Sequence, residues 1–287
     1  MITFIQQLVN GLMSGTLYAL VAVGLTMTFG IMNITNFAHG EFLMLGAFAT
    51  YILTTLGVPF VLALVGGAAA AAVIGVIVER STFRYTLADP INGLVVSLGL
   101  IAILQNGVAL IAGTESLHMK PAWPGTVEIA GVALAQQRLF TIAFGVLAIA
   151  GIWLLLRHSS LGRSLRALAV DPVAAALMGV RTGHLYAASF ALGCGLAGLA
   201  GGLVAALFPT SPFMGAAPVA KGFIVIVLGG LGSVPGAIAG GLMLGVVEAL
   251  GSGYISSAFG DGFGFLALIL LLLIKPNGLF GIVERRA

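Results

Sequence analysis

The first 40 residues contain no Asp, Glu, Lys or Arg. A stretch of that length cannot cover a soluble domain, whose residues are about one quarter charged. The rest of the chain follows suit: 7% charged, 60% hydrophobic, mean hydropathy +1.15 over 287 residues. A soluble fold of this composition would carry an apolar surface. The chain therefore reads as a polytopic membrane protein, an all-α transmembrane helical bundle forming one domain over 1–287. A crossing helix needs about 20 apolar residues. Candidate spans are Phe4–Ile31, Phe42–Leu56, Val58–Val78, Ile91–Ala112, Phe140–Leu156, His184–Leu207, a broken region near 221–250, and Phe263–Ile274. That makes about eight membrane segments. The N-terminus lacks the basic n-region of a signal peptide, and its apolar run is longer than a typical h-region, so it reads as a span.

The sparse cations fall between spans. Arg80 and Arg84, the loop around Arg157–Arg181 and the tail Glu284-Arg285-Arg286 sit on one side if the region near 221–250 is re-entrant. The positive-inside rule makes that side cytoplasmic and leaves the N-terminus outside. The net charge of +3 is too thinly spread to suggest nucleic acid. The connection from Gly113 to Gln137, with mixed charge, Trp123 and weak β character at Val127–Ala133, suits the outer face. Cys194 is the sole cysteine. It excludes an internal disulfide and a multi-Cys metal site.

Two stretches break the apolar pattern. Asn33-Ile-Thr-Asn-Phe-Ala-His-Gly-Glu41 places Asn33, Asn36, His39 and Glu41 between apolar runs with no proline and no long loop. It lies either at a membrane interface or beside a water-filled path, because lipid exposure would be costly. The second stretch runs from Lys221 through Phe223–Leu228, half a span, into Gly229, Gly230, Gly232, Ser233, Pro235 and Gly236. A helix near Ala237–Leu250 follows. A discontinuous or re-entrant element has this form, and so do two full spans joined by a tight turn. Gly11 with Gly15, Gly198 with Gly202, and Gly232, Gly236 and Gly240 give helices bare faces for close packing. Glu248 is either a structural acid or a proton-coupling group. One short internal echo joins Ala38-His-Gly-Glu-Phe42 to Ala220-Lys-Gly-Phe223.

The most polar run is Arg157–Gly183, which holds Arg157, Arg163, Arg166 and Arg181. Ser160 is placed to cap a short helix that includes Arg163–Ala169. Asp171-Pro172 starts a second helix after a break at Val170, since Asp accepts from free first-turn N–H groups and Pro at the first position loses no bond. Gly179 ends it. Two bounded helices outside the bilayer suit a docking element for a cytoplasmic partner better than an idle basic loop.

Several classes are excluded. None of the three lysines follows a phosphate-cradling glycine loop, so any ATP that drives this protein is bound by another chain. No zinc-protease helix and no nucleophile elbow occur, and the chain is not expected to be an enzyme or to hold a cofactor.

The run GLMSGTLYALVAVGLTMTFGIMNITNFAHGEF at 11–42, LGRSLRALAVDPVAAALMGV at 161–180, LGGLGSVPGAIAGGLMLGVVEAL at 228–250 and KPNGLFG at 275–281 together resemble the branched-chain amino acid permeases of bacterial ABC importers. The resemblance spans nearly the whole chain in order and is nearest to the Liv-type subunit. Urea and short-chain amide permeases share the motifs. The resemblance implies an inner-membrane permease paired with a second, similar permease, as a heterodimer. It also implies two cytoplasmic ATPase subunits, a periplasmic solute-binding protein and an amino-acid substrate. It makes 157–183 the coupling-helix loop, with Arg163, Arg166, Asp171, Pro172 and Gly179 at the ATPase. For the translocation path the candidates are Asn33, Asn36, His39, Glu41, Gly229, Gly230, Gly232 and Gly236, whose amides and free helix ends suit a zwitterion. A proton-driven secondary transporter and a membrane scaffold are the other classes.

Overall fold

A computed structural model describes residues 2–281 except Ala88, Ala130 and Gly131, so the Glu284–Arg286 tail lies outside the described residues. Eleven α-helices occur among them: α1 (Ile2–Met32), α2 (His39–Thr55), α3 (Phe60–Ser81), α4 (Pro90–Ala112), α5 (Gln136–His158), α6 (Ser160–Val170), α7 (Pro172–Leu177), α8 (Thr182–Ala205), α9 (Ala216–Gly229), α10 (Val234–Tyr254) and α11 (Gly260–Ile274). A small antiparallel hairpin, β1 (Thr126–Ile129) and β2 (Val132–Ala135), sits where weak β character was expected. Seven helical stretches among the described residues are long and apolar enough to cross a membrane. Within the bundle, two helices that follow breaks in the chain are short. α2 has 17 residues and α9 has 14. At 1.5 Å per residue α9 spans about 21 Å, short of a hydrocarbon core of about 30 Å.

The helix ends sort into two faces. At one, Arg84 Nη2 donates to the Gly183 carbonyl at 2.8 Å, joining the end of α3 to the start of α8. Leu279 N–H donates to the Leu228 carbonyl at 2.8 Å, joining the chain after α11 to the end of α9. The end of α1 is there too, with Gly30 beside Gly232. Arg80, Arg84 and the whole α6–α7 segment occupy this basic face. At the opposite face Gln7 packs on Gly253, Trp123 on Phe60 and Phe140, and Leu117 pairs with Thr210.

α1 and α8 form the interior. In their most apolar stretches 78% and 67% of residues are buried, against 11% in α4 and 6% in the stretch ending in α11. α1 and α8 cross at Gly24 and Gly193, where a Cβ on either residue would come within 2.7 Å of the other's carbonyl oxygen. Ser189 Oγ donates to the Met27 carbonyl at 2.7 Å beside that crossing. α1 meets α10 through Gly11 and Gly15, whose Cβ atoms would fall 2.8 Å and 2.9 Å from the Cα atoms of Val246 and Leu242. Gly198 lies against Gly46 and Ala71, and Gly236 against Gly229. Apart from Gly232, which is exposed ahead of α10, the glycine faces read from the sequence are packing faces, as lipid-embedded helices need, because apolar burial gives them no preference for each other over lipid.

The arrangement repeats with opposite direction. α1–α4 and α8–α11 each comprise a long helix, a break, a short helix and two more helices. α1 runs toward the basic face and α8 runs away from it. α1 packs along α10 and α8 along α3; α2 packs on α8 and α9 on α1. The halves also touch reciprocally at Gly40 and Gly215, the residues that open the two short helices. This is an inverted repeat of the kind found in transporters. The sequence echo is out of register with it: Gly40 faces Gly215, whereas Gly222 packs on Leu25 and Val21.

Gly193→Ala is expected to destabilise the bundle by about 1–3 kcal/mol, because the added methyl runs into the Gly24 carbonyl, backbone that cannot swing aside. Gly99→Ala, where nothing lies within 4 Å, should be neutral or stabilising by about 0.5–1 kcal/mol. Thermal unfolding of the purified protein in mild detergent distinguishes the two.

Candidate functional site

The polar stretch after α1 is neither a loop at the surface nor a straight continuation. Asn33 takes φ +53, the sole non-glycine residue at positive φ among those described, and Asn tolerates that region better than most. The Asn36 side-chain oxygen then accepts from Ala38 N–H at 3.0 Å. This Asx-type turn sends the chain back into the bundle. The His39 ring lies against Gly24, eight residues up α1 from Met32, about 12 Å above the helix end. Hence α2 starts among protein, not at the basic surface.

Three of the four predicted polar residues are buried around the start of α2, with the His39 ring against α1 and Glu41 turned toward α4. Asn36, His39 and Glu41 are each at most 2% exposed. Asn33 is exposed and belongs to the turn. Gln105 on α4 donates to Glu41 Oε1 at 2.8 Å, an amide inside a span bonding a neighbouring helix. Asn106 instead bonds the Ala102 carbonyl of its own helix at 2.7 Å. Glu41 Oε2, Asn36 Nδ2 and both His39 ring nitrogens lack partners of good geometry among the described residues. An unpaired buried polar group costs about 1–3 kcal/mol. Four such atoms flank the start of α2, beside the Gly40–Gly215 contact, and buried polar groups held without partners gather at functional sites.

The glycine break is elsewhere. Gly229 and Gly236 pack back to back, Gly230 packs on Gly281, and Gly232 is exposed at the basic face. Gly232 lies beside Gly30, six residues along α1 from the Gly24 that the His39 ring touches, so about 9 Å of helix separates the turn from that ring. Gly229, Gly230, Gly232 and Gly236 are therefore not brought together with Asn36, His39 and Glu41. Helix α9 also begins earlier than the sequence suggests. Residues 216–222 are helical and include Pro218, whose missing N–H falls in the unbonded first turn.

Sequence reasoning treated Lys221 and Glu248 separately. They form a salt bridge inside the bundle. Glu248 Oε2 also accepts from Tyr18 Oη at 2.9 Å, and Lys221 Nζ lies 3.0 Å from Asp261 Oδ1. The signal was available: one lysine and one acid of opposite charge in adjacent apolar segments are each other's obvious partners. Glu248 is held by two hydrogen bonds and joins α1, α9 and α10, while Asp261 ties in α11.

The polar run at the basic face folds as two capped helices, with both boundaries shifted by one residue. Ser159, not Ser160, is the N-cap of α6, accepting from Gly162 N–H at 2.9 Å. The break falls at Asp171, not Val170: Asp171 ends α6 and caps α7, accepting from Val173 and Ala174 N–H at 2.8 and 3.0 Å. Val170 stays helical because its only requirement is a bond that α6 supplies. Pro172 opens α7, and Gly179 at φ +83 terminates the segment. Leu165 and Leu168 bury onto Met27 of α1 and Leu185 of α8. Arg163 and Arg166 are exposed, and Arg166 turns back to donate to the Leu156 carbonyl of α5. Beside them Val170, Val173, Leu177 and Met178 are 70–87% exposed.

A helical bundle with broken inner helices, inverted halves and a buried polar cluster defines a multi-pass membrane protein of the transporter class. Residues 7–274 match the family described as branched-chain amino acid transport system / permease component, and the chain belongs to that family. It is 34% identical to the high-affinity branched-chain amino acid transport system permease protein LivH of Salmonella typhimurium, covering 97% of this chain and 96% of that one. It is also 34% identical to the corresponding BraD protein of Pseudomonas aeruginosa, with the same coverage. A chain in the solved structure of PsaBC from Streptococcus pneumoniae in complex with Fab shares the fold, with a TM-score of 0.55 and 14% identity over 99% of this chain and 94% of that one.

Lys221→Met is expected to destabilise the protein by about 3–5 kcal/mol, because it leaves Glu248 buried and charged without its cation. Lys221→Met combined with Glu248→Leu should recover most of that loss. Unfolding midpoints of the two variants in the same detergent check it.

Proposed function

We propose that this chain is a permease subunit of an ATP-driven importer in a bacterial inner membrane, carrying branched-chain amino acids. It works with a second, similar permease, two cytoplasmic ATPase subunits and a periplasmic solute-binding protein. The observation that carries this reading is the α6–α7 unit. It projects a capped rod with an apolar tip from the basic face, which the positive-inside rule assigns to the cytoplasm. Four large apolar side chains exposed together are a docking surface, not a solvated loop.

The same unit offers a route for force. Leu165 and Leu168 seat α6 on the ends of α1 and α8, and Arg166 ties it to α5. A displacement of the rod by a closing ATPase pair would pass through those contacts to the Gly24–Gly193 crossing. Against that crossing lies His39. Asn36, His39 and Glu41 are then the groups that meet the substrate's ammonium and carboxylate when the halves rock, with Asn33 as the turn that lets them move. Gly229, Gly230, Gly232 and Gly236 serve as the hinge between α9 and α10. The short helices α2 and α9 are re-entrant elements in this reading. Arg163, Asp171, Pro172 and Gly179 shape and orient the rod.

The test is co-purification and uptake with the full set of subunits in vesicles. Leu177→Asp should strip the ATPase subunits while leaving the second permease bound. Asp171→Ala, which loses a cap worth about 1 kcal/mol, should lower ATP-dependent leucine uptake several-fold. Uptake of urea in place of leucine, isoleucine and valine, or unchanged ATPase binding in Leu177→Asp, would overturn the assignment.

A further inference from the structure

A cavity of about 390 Å³ opens at the basic face between α1, α5, α6 and the first turn of α10. Its chemistry is divided by depth. The inner walls are apolar, from Met27 and Leu156 among others. The mouth carries Arg157 and Arg166, and none of the lining residues is acidic. Arg157 stacks over the Trp153 ring at 4.9 Å, which fixes its guanidinium at the rim. Arg166 commits one Nη to the Leu156 carbonyl, and a guanidinium has five donors in all. The N-terminal end of α10, capped by Ser233, adds partial positive charge to the same rim. Deeper in, Thr26 is only 3% exposed and lines the cavity, yet its hydroxyl has no partner among the described residues.

A buried hydroxyl left unpaired in an otherwise apolar cavity calls for a ligand that brings its own acceptor. Two arginines without an acid call for an anion, and arginine binds phosphate through paired N–H donors. The apolar walls between them call for hydrocarbon. We propose that this cavity is a binding site for an anionic phospholipid of the leaflet at the basic face. The phosphodiester sits between Arg157, Arg166 and the start of α10. Thr26 donates to an ester oxygen of the glycerol region, and one acyl chain lies against Trp153, Leu156 and Met27. Basic pockets between membrane helices on the cytoplasmic side are suited to such head groups. Since α6 forms one wall, a bound lipid would brace the docking rod from below. The site stands on the membrane placement of the chain and not on its transported solute, so it is testable without any transport measurement.

The purified full chain, in vesicles, carries tryptophan only at 123 and 153, and Trp123→Phe leaves Trp153 as the reporter. Its fluorescence is followed with dibrominated phosphatidylglycerol or dibrominated phosphatidylcholine as contact quencher. The expected result is a preference for the anionic lipid of roughly tenfold in apparent association. That preference should vanish in Arg157→Gln/Arg166→Gln and in Ala169→Phe, which fills the mouth from an exposed position without adding a tryptophan. Thr26→Val separates binding from folding: it should raise the unfolding temperature of lipid-free protein, yet weaken the anionic-lipid preference. Equal quenching by both lipids would overturn the proposal. So would a preference that survives both blocking variants, or one that tens of millimolar inorganic phosphate abolishes, which would mark a soluble-anion site instead.

Discussion

The structure depends on backbone meeting backbone. In lipid, two apolar helices gain little by leaving the hydrocarbon for each other, so cohesion comes from dispersion at close range and from hydrogen bonds. Here the inner helices approach closely enough that glycine is the one residue their crossings admit. Gly24 on Gly193, Gly40 on Gly215 and Gly15 on α10 are the examples. Everything outside that inner packing is loosely attached by comparison. α4 and the stretch ending in α11 are almost bare in the single chain, and lipid or a neighbouring subunit must clothe them.

Such tight packing gives the polar groups their meaning. A rigid glycine-lined interior can hold Asn36, His39 and Glu41 half-satisfied, because the surrounding contacts outweigh the cost of each unpaired atom. Lys221, Glu248 and Tyr18 are the contrast. They are buried polar groups too, but they satisfy one another and knit α1, α9 and α10 together. One cluster is poised and the other is closed, and the difference lies in the bonds left over.

Much of this was readable in the residues. Asp171-Pro172 marked a helix start because its chemistry is local, and the cap forms; Asp89, ahead of Pro90, caps α4 in the same way, accepting from Ile91 N–H at 2.9 Å. The α6 boundary slipped by one residue because Ser159 and Ser160 are chemically equal candidates, and only the path of the chain leaving α5 selects between them. The location of the glycine break was legible, but its distance from His39 was not. Both stretches looked like interruptions of spans, and a one-dimensional pattern does not say at which depth an interruption falls. The salt bridge between Lys221 and Glu248 spans 27 residues. The inverted repeat escaped because it lives in helix order and direction, while the sequence echo that hinted at it is displaced from the true correspondence.

The two halves are not equivalent in one respect. An inverted pair of four-helix units, left alone, would have no preferred direction: turning it over reproduces it. The segment that joins the halves ends that equivalence. By carrying the helices α6 and α7 at the basic face and only the small β1–β2 hairpin connection at the other, the linker gives a near-symmetric body a helical handle on a single side. A push there cannot be mirrored by a push from the other face. The polarity of the device thus resides less in the membrane core than in the 25 residues between α5 and the middle of α8's first turn, roughly 159–183.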